Sequence, residues 1–305
     1  MYDLIIVGGG PAGMTAGIYA ARQKLKILLI TEGFGGQMAK KSIDVENYPG
    51  FIKISGFDLI KNFENHLKSK KVEIKMAEIK SLKKENDCFS VSVEKGEEFK
   101  AKSVIIASGA EPRMLNVKGE KEFIGKGVSY CPICDGPLFK GKEVAIVGGG
   151  EAGCEAGIFL LNYVKKIYVL DAGPKITGSR AVYDVLKKSG KAEFITSARI
   201  EAIKGKMFVN SIIYNGGKEI KVSAVFVEIG YQPETSFIES GLVDFTSRGE
   251  IKVDSDTQAA KTQGIFAAGD VSGGKCKQIV VAAAEGAKAA LAVNKYLNGP
   301  QEGHF

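Results

Sequence analysis

Two cysteines two residues apart, followed at once by a carboxylate, form the most reactive arrangement in the chain: Ser129-Tyr130-Cys131-Pro132-Ile133-Cys134-Asp135-Gly136. A C-x-x-C pair serves two chemistries. A structural zinc ion needs four ligands, and neither Cys154 nor Cys276 nor any histidine stands at the short spacing that would complete a set. A redox dithiol needs only two sulfurs able to close a small loop and a means of lowering a thiol pKa. Pro132 stiffens the intervening turn, and a helix N-terminus there would stabilise a thiolate. Asp135 adds a proton carrier, because protons must be managed at the sulfurs as a disulfide opens and closes, and no histidine is near. A helix N-cap is the alternative use of an aspartate at this place.

A second chemistry is written twice. Leu4-Ile5-Ile6-Val7 leads into Gly8-Gly9-Gly10-Pro11-Ala12-Gly13, and Val144-Ala145-Ile146-Val147 leads into Gly148-Gly149-Gly150-Glu151-Ala152-Gly153. Each is an apolar strand, a G-x-G-x-x-G turn and a small-residue helix. In such a turn the first glycine permits the bend, the second lets backbone approach a pyrophosphate, and the third packs helix on strand (Gly8, Gly10, Gly13; Gly148, Gly150, Gly153). The next strand of each copy ends in an acid, Glu32 after Ile27-Leu28-Leu29-Ile30-Thr31 and Asp171 after Ile167-Tyr168-Val169-Leu170, where a ribose hydroxyl would lie. Two dinucleotide sites and a dithiol define a relay from pyridine nucleotide through flavin to disulfide, since flavin joins hydride chemistry to thiol chemistry.

The elements that position these groups follow from the same pattern. Segments alternating apolar and polar residues, Cys88 to Glu94 and Met207 to Tyr214 around Asn215-Gly216-Gly217, predict antiparallel meanders beside each parallel core. The fold class is α/β, two Rossmann-like domains, each a parallel sheet with a small antiparallel insert. Gly264 to Val271 predicts a late strand ending in Gly269-Asp270, and Val280 to Leu297 a small-residue helix whose Glu285 and Lys288 forbid a membrane role.

Composition narrows the partners. The 305 residues carry 42 Lys+Arg against 35 Asp+Glu, a formal charge of +7, with 45% apolar residues and 2 His. The excess is scattered lysine without the clustered stripe that nucleic acid requires. Membrane-spanning and targeting segments are not expected, five cysteines suit a reducing compartment, and the protein reads as cytoplasmic. His66 is expected on a solvated helix face, Cys88 and Cys154 as core filling, and Cys276 as the extra thiol. The tail from Asn298, with His304, is expected to fray.

The chain resembles bacterial and archaeal low-molecular-weight thioredoxin reductases over nearly its whole length. The resemblance rests on the first glycine motif, Gly35-Gly36-Gln37, Glu46-Asn47-Tyr48-Pro49-Gly50, Ala107-Ser108-Gly109-Ala110, Tyr130 to Gly136, Gly230-Tyr231-Gln232-Pro233 and Phe266 to Val271. It implies a homodimeric flavin-dependent disulfide reductase acting on thioredoxin or a related protein disulfide. Its FAD domain would comprise residues 1–111 and 244–305, around a pyridine-nucleotide domain, 112–243, that carries the dithiol. Asp270 would bind the FAD ribityl and pyrophosphate region, Lys277, Gln278 and Ile279 would lie against the flavin, and Gln37, Asn47 and Gly109 would line its pocket. Cys134 would face the flavin, Cys131 would attack the partner, and Asp135 would be the acid. Rotation of the small domain would use hinges near Gly109 to Arg113 and Leu242 to Gly249.

One departure bears on the electron donor. NADPH-using members carry a His-Arg-Arg run where this chain reads Asp171-Ala172-Gly173-Pro174-Lys175. A 2′-phosphate wants a guanidinium fork, whereas Asp171 repels it and suits a free hydroxyl. NADH is therefore favoured over NADPH. The alternative donor is reduced ferredoxin acting beside a vestigial nucleotide site, which the basic charge would suit. A dithiol oxidase of the same fold is disfavoured by Asp135, and a flavin-dependent ferredoxin reductase would not need the two cysteines.

Overall fold

Alternation within the first strand sets up the architecture. Leu4 and Ile6 face one hydrophobic cluster, Ile5 and Val7 another, and all four are almost completely buried, so the strand is sandwiched between two layers. In the computed structural model, which describes residues 1–40, 44–274 and 276–299, the chain forms two units. The first comprises Met1–Glu111 with Gln232–Phe305, the second Pro112–Tyr231. The segment 300–305, where the fraying tail and His304 were expected, lies outside the described residues.

The first unit runs β1 (Tyr2–Gly9), α1 (Pro11–Arg22), β2 (Ile27–Phe34), α2 (Gly56–Ser69), β3 (Glu73–Met76), β4 (Ile79–Glu85), β5 (Cys88–Val93) and β6 (Glu98–Ile106). The sheet order is β3-β2-β1-β6-β5-β4. The meander is not a separate insert here. The first half of β6 pairs antiparallel with β5 (Phe89 opposite Ala101), while Ala101 to Ile106 pair parallel with β1, so one long strand joins the two parts. His66 lies exposed on α2.

The second unit repeats the parallel core. It runs β7 (Val128–Ser129), α3 (Pro132–Asp135), β8 (Glu143–Val147), α4 (Glu151–Leu160), β9 (Lys166–Leu170), α5 (Arg180–Lys188), β10 (Ala192–Ile195), β11 (Ile200–Gly205), β12 (Val209–Tyr214), β13 (Lys218–Lys221) and β14 (Ala224–Val227). Its parallel sheet is ordered β7-β14-β8-β9-β10, and its meander, β11-β12-β13, is a sheet of its own.

The chain then returns to the first unit. β15 (Ile265–Ala267) pairs parallel with the end of β6, and α6 (Ile279–Asn298) packs on α1. Small residues allow this approach: a Cβ on Gly286 would sit 2.1 Å from the Ala12 carbonyl oxygen. Among the described residues, no helix is long and apolar enough to cross a membrane.

The return falls at Gln232, earlier than the boundary at 244. Residues 232–243 belong with the first unit because the Leu82 N–H donates to the Phe237 carbonyl at 2.8 Å, and Phe237, Ile238, Leu242 and Val243 pack into its core. The chain therefore crosses back between Tyr231 and Gln232, ahead of the segment Leu242 to Gly249 that was expected to carry the second hinge. The two crossings are neighbours: the Arg113 N–H bonds the Gly230 carbonyl at 2.9 Å in one unit, and the Glu234 N–H bonds the Gly109 carbonyl at 3.1 Å in the other.

Candidate functional site

The two glycine loops have the same geometry. Gly8 and Gly148 lie at φ of +109° and +122°, and a Cβ on either would strike backbone, Ala107 oxygen at 2.3 Å and Glu228 oxygen at 2.2 Å. Gly13 and Gly153 pack against the first glycine of their own loops. At Gly10 a Cβ would meet nothing within 4 Å, and at Gly150 only the Thr177 hydroxyl at 3.9 Å. The middle glycine of each loop thus faces open space at the start of a helix, the cradle a pyrophosphate needs.

In the first unit four polar residues singled out by sequence form two hydrogen-bonded pairs. The Gln37 amide donates to Asp270 Oδ2 at 3.1 Å and to the Ala110 carbonyl, and the Asn47 amide donates to Gln278 Oε1 at 3.1 Å. Glu32 is exposed near the end of β2. Lys277, expected to lie against the flavin, is anchored within the protein. Its ammonium donates to the Asp270 and Ser272 carbonyls at 3.0 and 2.8 Å and pairs with buried Glu250 at 3.1 Å, so it fixes the turn that carries Asp270. The turn is also held by Glu285, which accepts the Gly269 N–H at 2.7 Å; burial pushes the Glu285 carboxyl above its ordinary value. Exposed Cys276 lies beside this turn.

In the second unit the strand register separates two acids that sequence reading had equated. Val7 pairs with Ile30, and Val147 with Leu170. The counterpart of Asp171 is therefore Thr31, and the counterpart of Glu32 is Ala172. The contacts agree: Thr31 Oγ1 accepts the Gly33 N–H at 3.2 Å, and Asp171 Oδ1 accepts the Gly173 N–H at 2.7 Å. Asp171 Oδ2 further accepts the Gly149 N–H at 2.5 Å, clamping the glycine loop. Arg180, 83% exposed at its side chain, pairs with Asp184 one helical turn away.

The dithiol follows β7. Cys131 and Cys134 form a disulfide, with Cα atoms 5.3 Å apart. Cys131 is the N-cap of α3, and its Sγ accepts the Cys134 N–H at 3.3 Å. Asp135 is no cap. It ends α3, is buried, and accepts at Oδ2 the Ser129 hydroxyl proton over 2.5 Å, while the Ser129 oxygen accepts the Cys131 N–H at 3.0 Å. Ser129 thus links the acid to the first redox cysteine.

Behind it lies a group that sequence reading missed. Glu120 is fully buried and accepts the N–H groups of Leu115 and Asn116 at 2.8 and 2.7 Å and the Tyr130 hydroxyl at 2.9 Å. Burial and this carboxylate push the Tyr130 hydroxyl above its ordinary pKa. Buried Cys154 is likewise raised by burial, which makes it an unreactive thiol, and Cys88 is half-buried on β5. Among the described residues no cluster of three or more His, Cys, Asp or Glu is arranged for a metal ion.

Residues 2–286 match the family model described as pyridine nucleotide-disulphide oxidoreductase. The chain belongs to the pyridine nucleotide-disulphide oxidoreductase family. The family implies FAD and a pyridine nucleotide, and the open glycine cradles with the Gln37, Asn47, Asp270 and Gln278 cluster fit such ligands. Thioredoxin reductase from Helicobacter pylori is 36% identical over 97% of this chain and 99% of its own. An NADH dehydrogenase from Bacillus subtilis is 36% identical over 97% of this chain, which spans 58% of that longer protein. The solved thioredoxin reductase from Giardia duodenalis superposes with a TM-score of 0.91 at 35% identity, covering 97% of this chain and 98% of its own. The low-molecular-weight thioredoxin reductase type and the two-domain Rossmann-like fold agree with the motifs.

Proposed function

We propose that this family member reduces a protein disulfide of the thioredoxin type, taking electrons from NADH. The observation that carries the reading is the Cys131–Cys134 disulfide with buried Asp135 held by the same hydroxyl that takes the Cys131 N–H. FAD, when bound, supplies the hydride acceptor that links a two-electron donor to a disulfide. Gly8, Gly10 and Gly13 would hold its pyrophosphate, Glu32 its ribose, and Gln37, Asn47, Gly109, Asp270, Gln278 and Ile279 the remainder, with Lys277 holding the Asp270 turn.

Two electrons and two protons open Cys131–Cys134. Cys131 then attacks one sulfur of the partner disulfide and displaces the other as a thiol. Cys134 attacks the resulting mixed disulfide, reforms the ring and releases the second thiol. In the closed pair the Cys134 N–H donates to Cys131 Sγ, and Asp135 passes the proton at each exchange. The H. pylori relative's name supports thioredoxin as the partner. Homodimerisation and a cytoplasmic setting belong to the same proposal.

Gly148, Gly150 and Gly153 would cradle the donor's pyrophosphate. NADH is favoured because Ala172 and Gly173 offer no cation to a 2′-phosphate and Asp171 adds negative charge beside the loop; the NADH dehydrogenase relative's name points the same way. Anaerobic titration of flavin absorbance with NADH, NADPH and reduced ferredoxin tests the donor. NADH should bleach the flavin; bleaching by ferredoxin alone would overturn the assignment.

The register adds a prediction about coenzyme choice. Ala172→Arg should raise kcat/KM for NADPH about tenfold, the worth of one charge-assisted phosphate contact. Asp171→Asn should weaken both coenzymes alike by loosening the glycine loop, leaving their ratio near the wild-type value. Steady-state kinetics with both coenzymes distinguish this from ribose reading by Asp171, which would lower NADH use selectively.

A further inference from the structure

On its N-terminal side Cys131 is tied to the body of the second unit. The Tyr130–Cys131 peptide is held on both sides: its carbonyl accepts the Tyr231 hydroxyl at 2.8 Å, and its N–H donates to Ser129 Oγ at 3.0 Å. The Tyr130 side chain is buried, with its hydroxyl on Glu120. Glu120 also holds the N–H groups of Leu115 and Asn116. Cys134 contrasts with this. It is exposed, and its N–H donates back to Cys131, to the carbonyl at 3.2 Å and to Sγ at 3.3 Å.

We infer that Tyr130 is a positioning residue, held by Glu120 and Tyr231, that keeps Cys131 fixed while Cys134 is the sulfur that moves when the disulfide opens. Opening the ring removes the direct bond between the two sulfurs, so the less tethered one is displaced. The held cysteine keeps one geometry toward an incoming partner sulfur in both redox states, and the mobile one is free to leave and return. The anchors lie next to the chain crossings. Leu115 and Asn116 follow the first, and Tyr231 is the last residue before the second. Both entry points thus reach one residue, Tyr130: Glu120 links Leu115 and Asn116 to its hydroxyl, and Tyr231 bonds its carbonyl. The inference deepens the proposed disulfide chemistry but needs only that the pair opens.

The test is residue-resolved amide hydrogen exchange on the full-length flavoprotein, oxidised and after chemical reduction by excess dithiothreitol, so that neither the natural donor nor the partner is required. In the wild type, reduction should accelerate exchange at Cys134 and Asp135 and leave Cys131 near its oxidised rate. In Tyr231→Phe and in Tyr130→Phe, which each remove one hydroxyl, reduction should also accelerate Cys131, about fivefold for the loss of one hydrogen bond. Equal acceleration of Cys131 and Cys134 in the wild type would overturn the inference, as would an unchanged Cys131 in both variants. Acceleration spreading to the Val144–Val147 core strand would show general loosening and overturn it too. Failure of the wild type to reduce any protein disulfide would sink the proposed function while leaving these exchange outcomes decisive.

Discussion

Cys134→Ser is expected to leave flavin reduction by the donor intact and to bring protein disulfide reduction to background, a loss of roughly 10³-fold or more, as when one member of a catalytic unit is removed. The residues proposed to hold FAD lie in the first unit, and those proposed for the donor lie around Gly148 and Asp171, so neither set includes this sulfur. What the variant loses is resolution. Cys131 still attacks a partner disulfide, but the mixed disulfide has no intramolecular thiol to release it. A covalent adduct of about one partner per chain should therefore accumulate, visible by intact mass and reversed by dithiothreitol. Using a cell extract in place of purified thioredoxin would turn the trap into an identification of the physiological partner. Retained turnover would exclude the dithiol as carrier. Trapping by Cys131→Ser instead would exchange the roles of the two sulfurs.

Much of the scaffold was legible because its chemistry is local. A G-x-G-x-x-G turn requires a positive φ at Gly8 and Gly148 and a bare Cα at Gly13 and Gly153, and these constraints are visible in four residues. Strand alternation likewise places Leu4 and Ile6 apart from Ile5 and Val7. What sequence reading missed depends on register and long-range contact. A shift of one residue moves a side chain to the other face of a strand. Glu32 and Asp171 look equivalent because each is the acid near the end of its second strand, but they stand 24 and 23 residues beyond Gly8 and Gly148, and pairing with the first strand agrees that Ala172 is the counterpart of Glu32. The crossing at Gln232 was misplaced because the bonds that retain residues 232–243 reach back to Leu82. Glu120 resembles any surface glutamate beside Lys121 and Glu122. Its burial becomes evident only when Tyr130 and the turn at Leu115 close over it. Glu285 did leave a signal, a charge interrupting a run of alanines, although its partner Gly269 could not be named from it.

The register also shows how duplication produced two different sites. Ile265 pairs with Val104, and Val128 pairs with Val225, while Ile5 pairs with Val104 and Ala145 with Val225. β15 and β7 are therefore the same strand in the two units, one following its core in sequence and the other preceding it. One step past the last pair of β15, Ala268 corresponds to Cys131, and three steps past it Asp270 corresponds to Ile133. The end of a parallel strand is where such sheets place ligands. In the first unit that end carries Asp270, braced by Lys277 and Glu285. In the second the same position carries the dithiol, braced by Ser129, Tyr130 and Glu120.

Asp135→Asn is the variant that separates chemistry from structure at this strand end. Asparagine has nearly the shape of aspartate, and its side-chain oxygen can still accept the Ser129 hydroxyl proton, so the 2.5 Å contact, the Cys131 N–H contact to Ser129 and the fold around α3 should survive. What disappears is a group able to take and return a proton. General acid–base catalysis contributes on the order of 10²–10⁴-fold, so disulfide turnover should fall by roughly 10²-fold or more. Donor-driven flavin reduction should stay within about twofold and thermal stability within about 1 kcal/mol, the scale of a single altered hydrogen bond. The pH profile of the residual activity should lose the limb that a titrating carboxyl imposes, a change that mere loosening would not produce. Ser129→Ala is the complementary control, because it keeps the carboxyl but removes its positioning, and should reduce turnover while retaining that limb. If Asp135→Asn instead turns over at the wild-type rate, the carboxylate is a structural partner of Ser129, and the proton must be exchanged directly with water at exposed Cys134.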